Sequence, residues 1–104
     1  MNKTFYKGTE LKFKVTLECP GFSMENDNFS LDIVSGKVRV TLGKEDLAVV
    51  GEEGNKEYYA YVETDDLPTG NVKVIATAYV DDTGASGGKR QEVAVAQLCT
   101  LVNP

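Results

Sequence analysis

The chain has 104 residues, with eleven Lys and Arg against sixteen Asp and Glu, no His and no Trp, and a formal net charge of −5. This length suits one domain spanning residues 1–104, since domains usually contain roughly 100 to 200 residues. The missing imidazole excludes His-dependent catalytic triads, His-bearing zinc sites and histidine pH switches. The acidic balance argues against nucleic acid as a partner, because phosphate binding needs a surplus of Lys and Arg.

No segment of the sequence predicts export or membrane insertion. Residues 1–8 lack the apolar run of roughly 7 to 15 residues found in secretory signals. Apolar stretches elsewhere are far shorter than the roughly 18 residues of a membrane-spanning helix. We therefore expect cytoplasmic synthesis and no membrane contact.

Alternating apolar and polar residues predict strands through the first half of the chain. An opening strand at residues 3–7 is followed by Leu11 to Cys19, where the odd positions are apolar and the even positions polar. Residues 29–33 and 38–42 alternate in the same way on either side of Ser35-Gly36. This arrangement predicts a β-hairpin.

The second half continues the pattern with longer strands. Residues 47–50 predict a short strand, and Glu57 to Glu63 predicts one with tyrosines on both faces. After a corner at Asp65 to Gly70, Val72 to Val80 is partly apolar on both faces, which predicts a central strand. A Gly-rich loop is expected at residues 81–90.

The closing strand, Glu92 to Val102, changes phase along its length. Val93 and Val95 share parity with Gln97, Cys99 and Leu101, which indicates a β-bulge or a far-face partner near Gln97. No window has helical periodicity. About seven short strands joined by Gly, Asp and Asn turns predict an all-β, antiparallel β-sandwich, with a small barrel as the alternative.

One segment resembles a known family. Leu67 to Val74 reads LPTGNVKV, which is similar to the L-x-x-G-x-[YVT]-x-[VF] corner before the penultimate strand of immunoglobulin-like and fibronectin-like bacterial modules. The resemblance implies an immunoglobulin-like β-sandwich. The final strand pair, around its Asp- and Gly-rich loop, also resembles small domains of phage tail and baseplate proteins. Antibody-type domains carry a core Trp, and a Tyr is common where Val72 stands here, so only the architecture carries over.

The two cysteines, Cys19 and Cys99, lie in predicted strands near the two ends of the chain. A disulfide between them is geometrically possible, but without a secretory signal we expect two reduced, inert thiols. Two cysteines this far apart make no zinc site, and we predict neither a metal nor a cofactor. The acidic turns also lack the alternating Asp spacing of a calcium loop.

The carboxylates concentrate in one part of the chain. Residues 45–66 carry a formal charge of −7, whereas residues 1–18 carry +2. The asymmetry favours either a surface that orients a docking partner or a solvated acidic rim that keeps sheet edges unpaired. The acidic residues are Glu45, Asp46, Glu52, Glu53, Glu57, Glu63, Asp65 and Asp66.

Four tyrosines are the candidate binding residues: Tyr58, Tyr59, Tyr61 and Tyr79. Exposed tyrosines on a sheet stack on sugars or anchor protein interfaces, whereas buried ones fill a core that lacks Trp. The sequence alone does not decide between a binding role and a core role for these tyrosines.

These features together predict a non-enzymatic structural or protein-docking module that acts through a protein partner or self-association. The resemblance to phage domains implies a prophage-encoded protein associated with a virion or tail. The alternative is a β-sandwich module that binds a carbohydrate or another ligand through its tyrosines.

Overall fold

The computed structural model describes residues 3–104, which form two β-sheets and no α-helix. Within this range, no helix is long and apolar enough to cross a bilayer. The strands of the described chain are β1 (Lys3–Tyr6), β2 (Glu10–Val15), β3 (Phe29–Ser35), β4 (Val38–Gly43), β5 (Ala48–Val50), β6 (Glu57–Glu63), β7 (Gly70–Asp81) and β8 (Lys89–Val102). Short 3₁₀ turns lie at Lys44–Asp46 and Ser86–Gly88.

Five strands form the larger sheet, in the order β1-β8-β7-β3-β4. All neighbours are antiparallel except β1, which runs parallel to the end of β8. The predicted hairpin is confirmed: β3 pairs with β4 from Ser30 to Ser35, and Gly36 makes the turn with a φ of +56°. The prediction that Val72 to Val80 is central is also confirmed, because β7 lies between β3 and β8.

The β7–β8 pair is the longest element of the molecule. Its register shifts where Val72 pairs with Cys99 and Lys73 pairs with Gln97, so Leu98 is an extra residue. The bulge predicted near Gln97 is therefore confirmed. The predicted loop at residues 81–90 is too long, because β7 reaches Asp81 and β8 already starts at Lys89.

The smaller sheet contains three strands in the order β2-β6-β5, all antiparallel. The prediction that the second strand reaches Cys19 is wrong, because β2 ends at Val15, opposite Tyr58 of β6. Beyond that point, residues 16–19 keep the alternation of more and less exposed side chains without a strand partner in the described chain. The period of two therefore continues past the end of hydrogen-bonded pairing.

The core lies between the two sheets. Ile33 and Val72 from the larger sheet pack with Leu11 and Val62 from the smaller sheet, and each is at most 5% exposed. A second cluster centres on Phe29 and includes residues of both sheets. The two-layer all-β prediction is thus confirmed, because the inward side chains of both sheets share one apolar interior.

One buried threonine fastens the turn between β1 and β2. The Oγ1 atom of Thr64 accepts a hydrogen bond from the Gly8 backbone N–H at 2.8 Å and donates one to the Thr9 carbonyl at 2.7 Å. The Thr64 side chain is fully buried. Because a buried hydroxyl needs partners, this pair of bonds ties the end of β6 to the start of β2.

Candidate functional site

The first predicted binding residue, Tyr58, belongs to the interior. Its side chain is only 4% exposed and packs edge-to-face on Phe29, with ring centroids 5.9 Å apart. Phe22 makes a similar contact on the same Phe29 ring, at 6.2 Å. A tyrosine in this position fills the core.

Tyr59 and Tyr61 are brought together on the outer face of the smaller sheet. Lys12, on the neighbouring strand β2, places its Nζ atom 4.8 Å from the Tyr59 ring centroid and 5.5 Å from that of Tyr61. The Tyr59 hydroxyl donates to Glu57 at 2.8 Å. This bond lowers the pKa of the Glu57 carboxyl and raises the pKa of the Tyr59 hydroxyl. In this cluster both tyrosine rings are engaged by the Lys12 ammonium in cation–π contacts, and the Tyr59 hydroxyl is engaged by Glu57.

Tyr79 lies on a different surface from the other tyrosines. It belongs to β7, where Ala78 and Val80 on either side of it face the core, so Tyr79 lies on the outer face of the larger sheet. The smaller sheet, with β6, lies on the other side. The structure therefore distributes the four predicted residues over the core and two opposite faces. Only the pair Tyr59 and Tyr61 shares a surface.

The two cysteines are both free and are far apart in the fold. Cys99 is fully buried opposite Val72, and burial raises the pKa of its thiol. Cys19 lines a cavity together with Ala78. Ala78 lies six residues after Val72, the residue of β7 that faces Cys99. Six strand residues span about 20 Å, far beyond the Cα separation of about 7 Å that a disulfide tolerates. This separation accounts for the two free thiols in the structure.

The charged segments are neighbours in the fold. Lys14 of β2 pairs with Glu57 of β6 at 3.3 Å, so the basic opening segment lies against the acidic one. At the far end of the larger sheet, Arg90 donates to Asp82 at 2.9 Å, to Glu92, and to the Pro20 carbonyl at 2.8 Å. The Pro20 contact ties the segment between β2 and β3 to the β7–β8 turn.

Asp82 organises that turn. Its carboxylate accepts a hydrogen bond from the Gly84 backbone N–H at 2.9 Å as well as from Arg90. The Gly84 bond, with the Arg90 contact as the second cause, lowers the pKa of Asp82. In the described part of the chain, no three acidic or thiol side chains group as a metal site would require.

The most unusual surface is the free edge of β8. On one side β8 pairs with β7 along its length, but on the other side β1 covers only Cys99 to Val102. Residues 89–97 therefore have no second strand partner within the described range 3–104. We call this segment the β8 edge.

The hydrogen-bond pattern shows which backbone groups of the β8 edge face outward. The Asp82 N–H donates to the Gly88 carbonyl at 2.9 Å, which makes this a hydrogen-bonded position of the antiparallel pair. Because such positions alternate, the even residues of β8 up to Ala96 bond to β7. The N–H and C=O groups that point to the open side belong to the odd residues. These are Lys89, Gln91, Val93, Val95 and Gln97.

In the middle of the β8 edge, at residues 93–96, the side chains are apolar and exposed. Val93 is 60% exposed and Val95 is 63% exposed, both on the outer face of the larger sheet. Ala94 and Ala96, on the inner face, are exposed as well. The phase change near Gln97 in the sequence already indicated this exposure, because it places Val93 and Val95 on the face of the sheet opposite to Cys99.

A groove runs beside the β8 edge, between β8 and β2. One cavity of about 320 Å³ lies between Phe13 and Leu17 on one side and Ala94 and Ala96 on the other. It shares Leu17 and Ala94 with an adjoining cavity of about 240 Å³. The groove exists because small alanines face the point where β2 stops pairing, so the two layers do not close there.

No protein-family model, no curated protein and no solved structure matches this chain.

Proposed function

We propose that the chain is an immunoglobulin-like β-sandwich that acts as a non-enzymatic protein-docking module, and that the β8 edge is its docking surface. The observation that carries this proposal is the coincidence of outward backbone groups with exposed valines at positions 93 and 95. A strand from another chain gains main-chain hydrogen bonds and side-chain burial when it adds to such an edge.

The contrast with the other sheet edges supports the choice of β8. Natural sheet edges are protected from pairing by Lys residues, short strands and charges. β2 carries Lys12 and Lys14, β4 carries Arg39, and β5 has only three residues. Along residues 93–97 of β8, by contrast, there is no charge and no proline. This edge lacks the usual protection against strand addition.

The strand order supports the immunoglobulin-like assignment. The order β4-β3-β7-β8 in one sheet, with β2-β6-β5 in the other, corresponds to the C′-C-F-G and B-E-D orders of immunoglobulin sandwiches. In that scheme, β8 is the last strand, at an edge left open by the four-residue β1.

The carbohydrate-binding alternative has weaker support. A sugar stacks on the open face of an aromatic ring, and the Lys12 ammonium lies over the rings of both Tyr59 and Tyr61. The other two tyrosines are a core residue and a residue of the opposite sheet.

The docking proposal can be tested by photo-crosslinking in the cells that naturally produce the chain. Val93 is replaced by p-benzoylphenylalanine, and the matched control carries the same group at Val49, an exposed valine of β5. We expect a covalent adduct of defined mass at position 93 that Val95→Lys abolishes. Equal labelling at both positions, or none at position 93, would refute docking at the β8 edge.

A further inference from the structure

We infer that the strand docking on the β8 edge is the β8 edge of a second copy of this chain, paired antiparallel about a twofold axis at Ala94. The inference rests on the proposed docking function and names its partner. It is carried by the symmetry of the edge sequence and by the direction of its backbone groups.

The residues of the β8 edge are self-complementary. Residues 91–97 read Gln-Glu-Val-Ala-Val-Ala-Gln, so the odd positions are identical in either direction about Ala94. In a twofold antiparallel pair centred there, each Val93 lies opposite Val95 of the second copy, and each Gln91 lies opposite Gln97. Cross-strand pairs of β-branched residues and of hydrogen-bonding side chains stabilise antiparallel sheets.

The backbone selects the same register. In an antiparallel pair centred on residue 94, odd residues meet odd residues, and the odd residues carry the outward N–H and C=O groups. All four odd positions from 91 to 97 then exchange hydrogen bonds with the second copy. Registers centred on Val93 or Val95 also pair odd residues, but they place a glutamine opposite a valine.

The ends of the edge match this register. Beyond Gln97 lies the bulge residue Leu98, and from Cys99 onward β1 occupies the open side. Because Gln91 of one copy faces Gln97 of the other, the paired residues stop short of Cys99, and Lys89 and Arg90 of each copy diverge from the edge to leave room for β1 of the other copy. On the inner face Glu92 lies opposite Ala96, so no two carboxylates face each other.

The interface is small. A seven-residue strand pair buries less than the roughly 1,200 Å² typical of stable complexes, so it belongs to the weak, reversible class. Each copy also carries a formal charge of −5, which opposes association. We therefore expect a dimer that forms at about 100 μM and dissociates at about 1–10 μM, the range of such affinities.

Cysteine crosslinking tests the register. In a Cys19→Ser background, Ala94→Cys places two thiols on the axis at a non-hydrogen-bonded pair, where Cα atoms are about 4.5 Å apart and a disulfide fits. We expect rapid formation of a disulfide-linked dimer on mild oxidation. Ala96→Cys, about 13 Å from its symmetry mate, and Ala48→Cys, an exposed alanine on the edge strand β5, are the matched controls.

Sedimentation velocity provides a second readout without new thiols. The unmodified chain should dimerise with concentration, Val95→Lys should remain monomeric, and Val49→Lys should behave like the unmodified chain. If the unmodified chain stays monomeric and Ala94→Cys crosslinks no faster than Ala48→Cys, the homodimer is refuted. In that case, an adduct at position 93 with a different protein in the photo-crosslinking experiment would still support docking at the β8 edge. The absence of any adduct would refute both the docking function and the homodimer.

Discussion

Tyr58 and Tyr61 belong to the same strand, yet their removal should have very different effects on folding. Tyr58 is 4% exposed and packs on Phe29, so Tyr58→Ala should lower the free energy of unfolding by about 3–5 kcal/mol. Of this, the edge-to-face contact accounts for about 0.5–1.5 kcal/mol. Tyr61 is 44% exposed and contacts Lys12, so Tyr61→Ala should cost about 0.5–1 kcal/mol.

Urea denaturation followed by far-ultraviolet circular dichroism measures this difference without relying on tyrosine fluorescence. For a chain of this size a slope of about 1–2 kcal/mol per molar urea is expected, so the two midpoints should differ by at least about 1 M. Tyr58→Leu retains an apolar side chain and should lose about 1–3 kcal/mol, which remains measurable if the alanine variant does not fold. Equal midpoints for the Tyr58 and Tyr61 variants would refute the assignment of Tyr58 to the core.

Three further outcomes are expected. Thr64→Val should lower the free energy of unfolding by about 1–3 kcal/mol in urea denaturation, because two backbone groups of the β1–β2 turn lose their partner, while exposed Thr69→Val should change it by less than about 0.5 kcal/mol. A thiol reagent at pH 8 should modify Cys19 before Cys99, since burial and a raised pKa keep the Cys99 thiol protonated and inaccessible until the chain unfolds. The folded-state pKa of Asp82 is lowered, so Asp82 stabilises the fold above its unfolded-state pKa of about 3.9 and loses this effect as the pH falls through the folded value. Asp82→Asn should therefore flatten the decline of the urea midpoint below about pH 4.

Each of these outcomes can be contradicted. Equal urea midpoints for the Thr64 and Thr69 variants would show that the buried hydroxyl does not hold the turn. Labelling of Cys99 in the folded chain at the rate of Cys19 would show that it is not enclosed. An unchanged acid slope in Asp82→Asn would show that the contacts with Gly84 and Arg90 do not persist in solution.

The alternation of apolar and polar residues predicted most of the fold because each sheet has one face buried in the core and one face in solvent. Leu11, Ile33 and Val72 are buried as their positions in the alternation require. The residues at which strands begin and end were harder to predict from the sequence pattern. β8 begins at Lys89, where Lys89 and Arg90 form ion pairs with acidic residues across the hairpin, and hydrophobic alternation does not report such pairs.

The candidate site was less predictable than the fold. Tyrosine suits both an interior and a surface, so spacing alone does not separate Tyr58 from Tyr61. The open edge of β8 depends on which strand lies beside it and how far that strand extends. This is a non-local property, fixed here by the pairing of Lys3 to Tyr6 with the last residues of β8.

Amide hydrogen exchange along β8, resolved by residue with NMR, reports both the open β8 edge and its pairing with a second copy. At about 5 μM, the monomer range expected for so small an interface, the amides of Val93 and Val95 should exchange quickly while those of Ala94 and Ala96 are protected by β7. At about 500 μM the two valine amides should become protected as well, with little change at the alanines. Uniform exchange along residues 93–96 at low concentration would contradict the open β8 edge. Valine amides that stay fast at high concentration would contradict its pairing with a second copy.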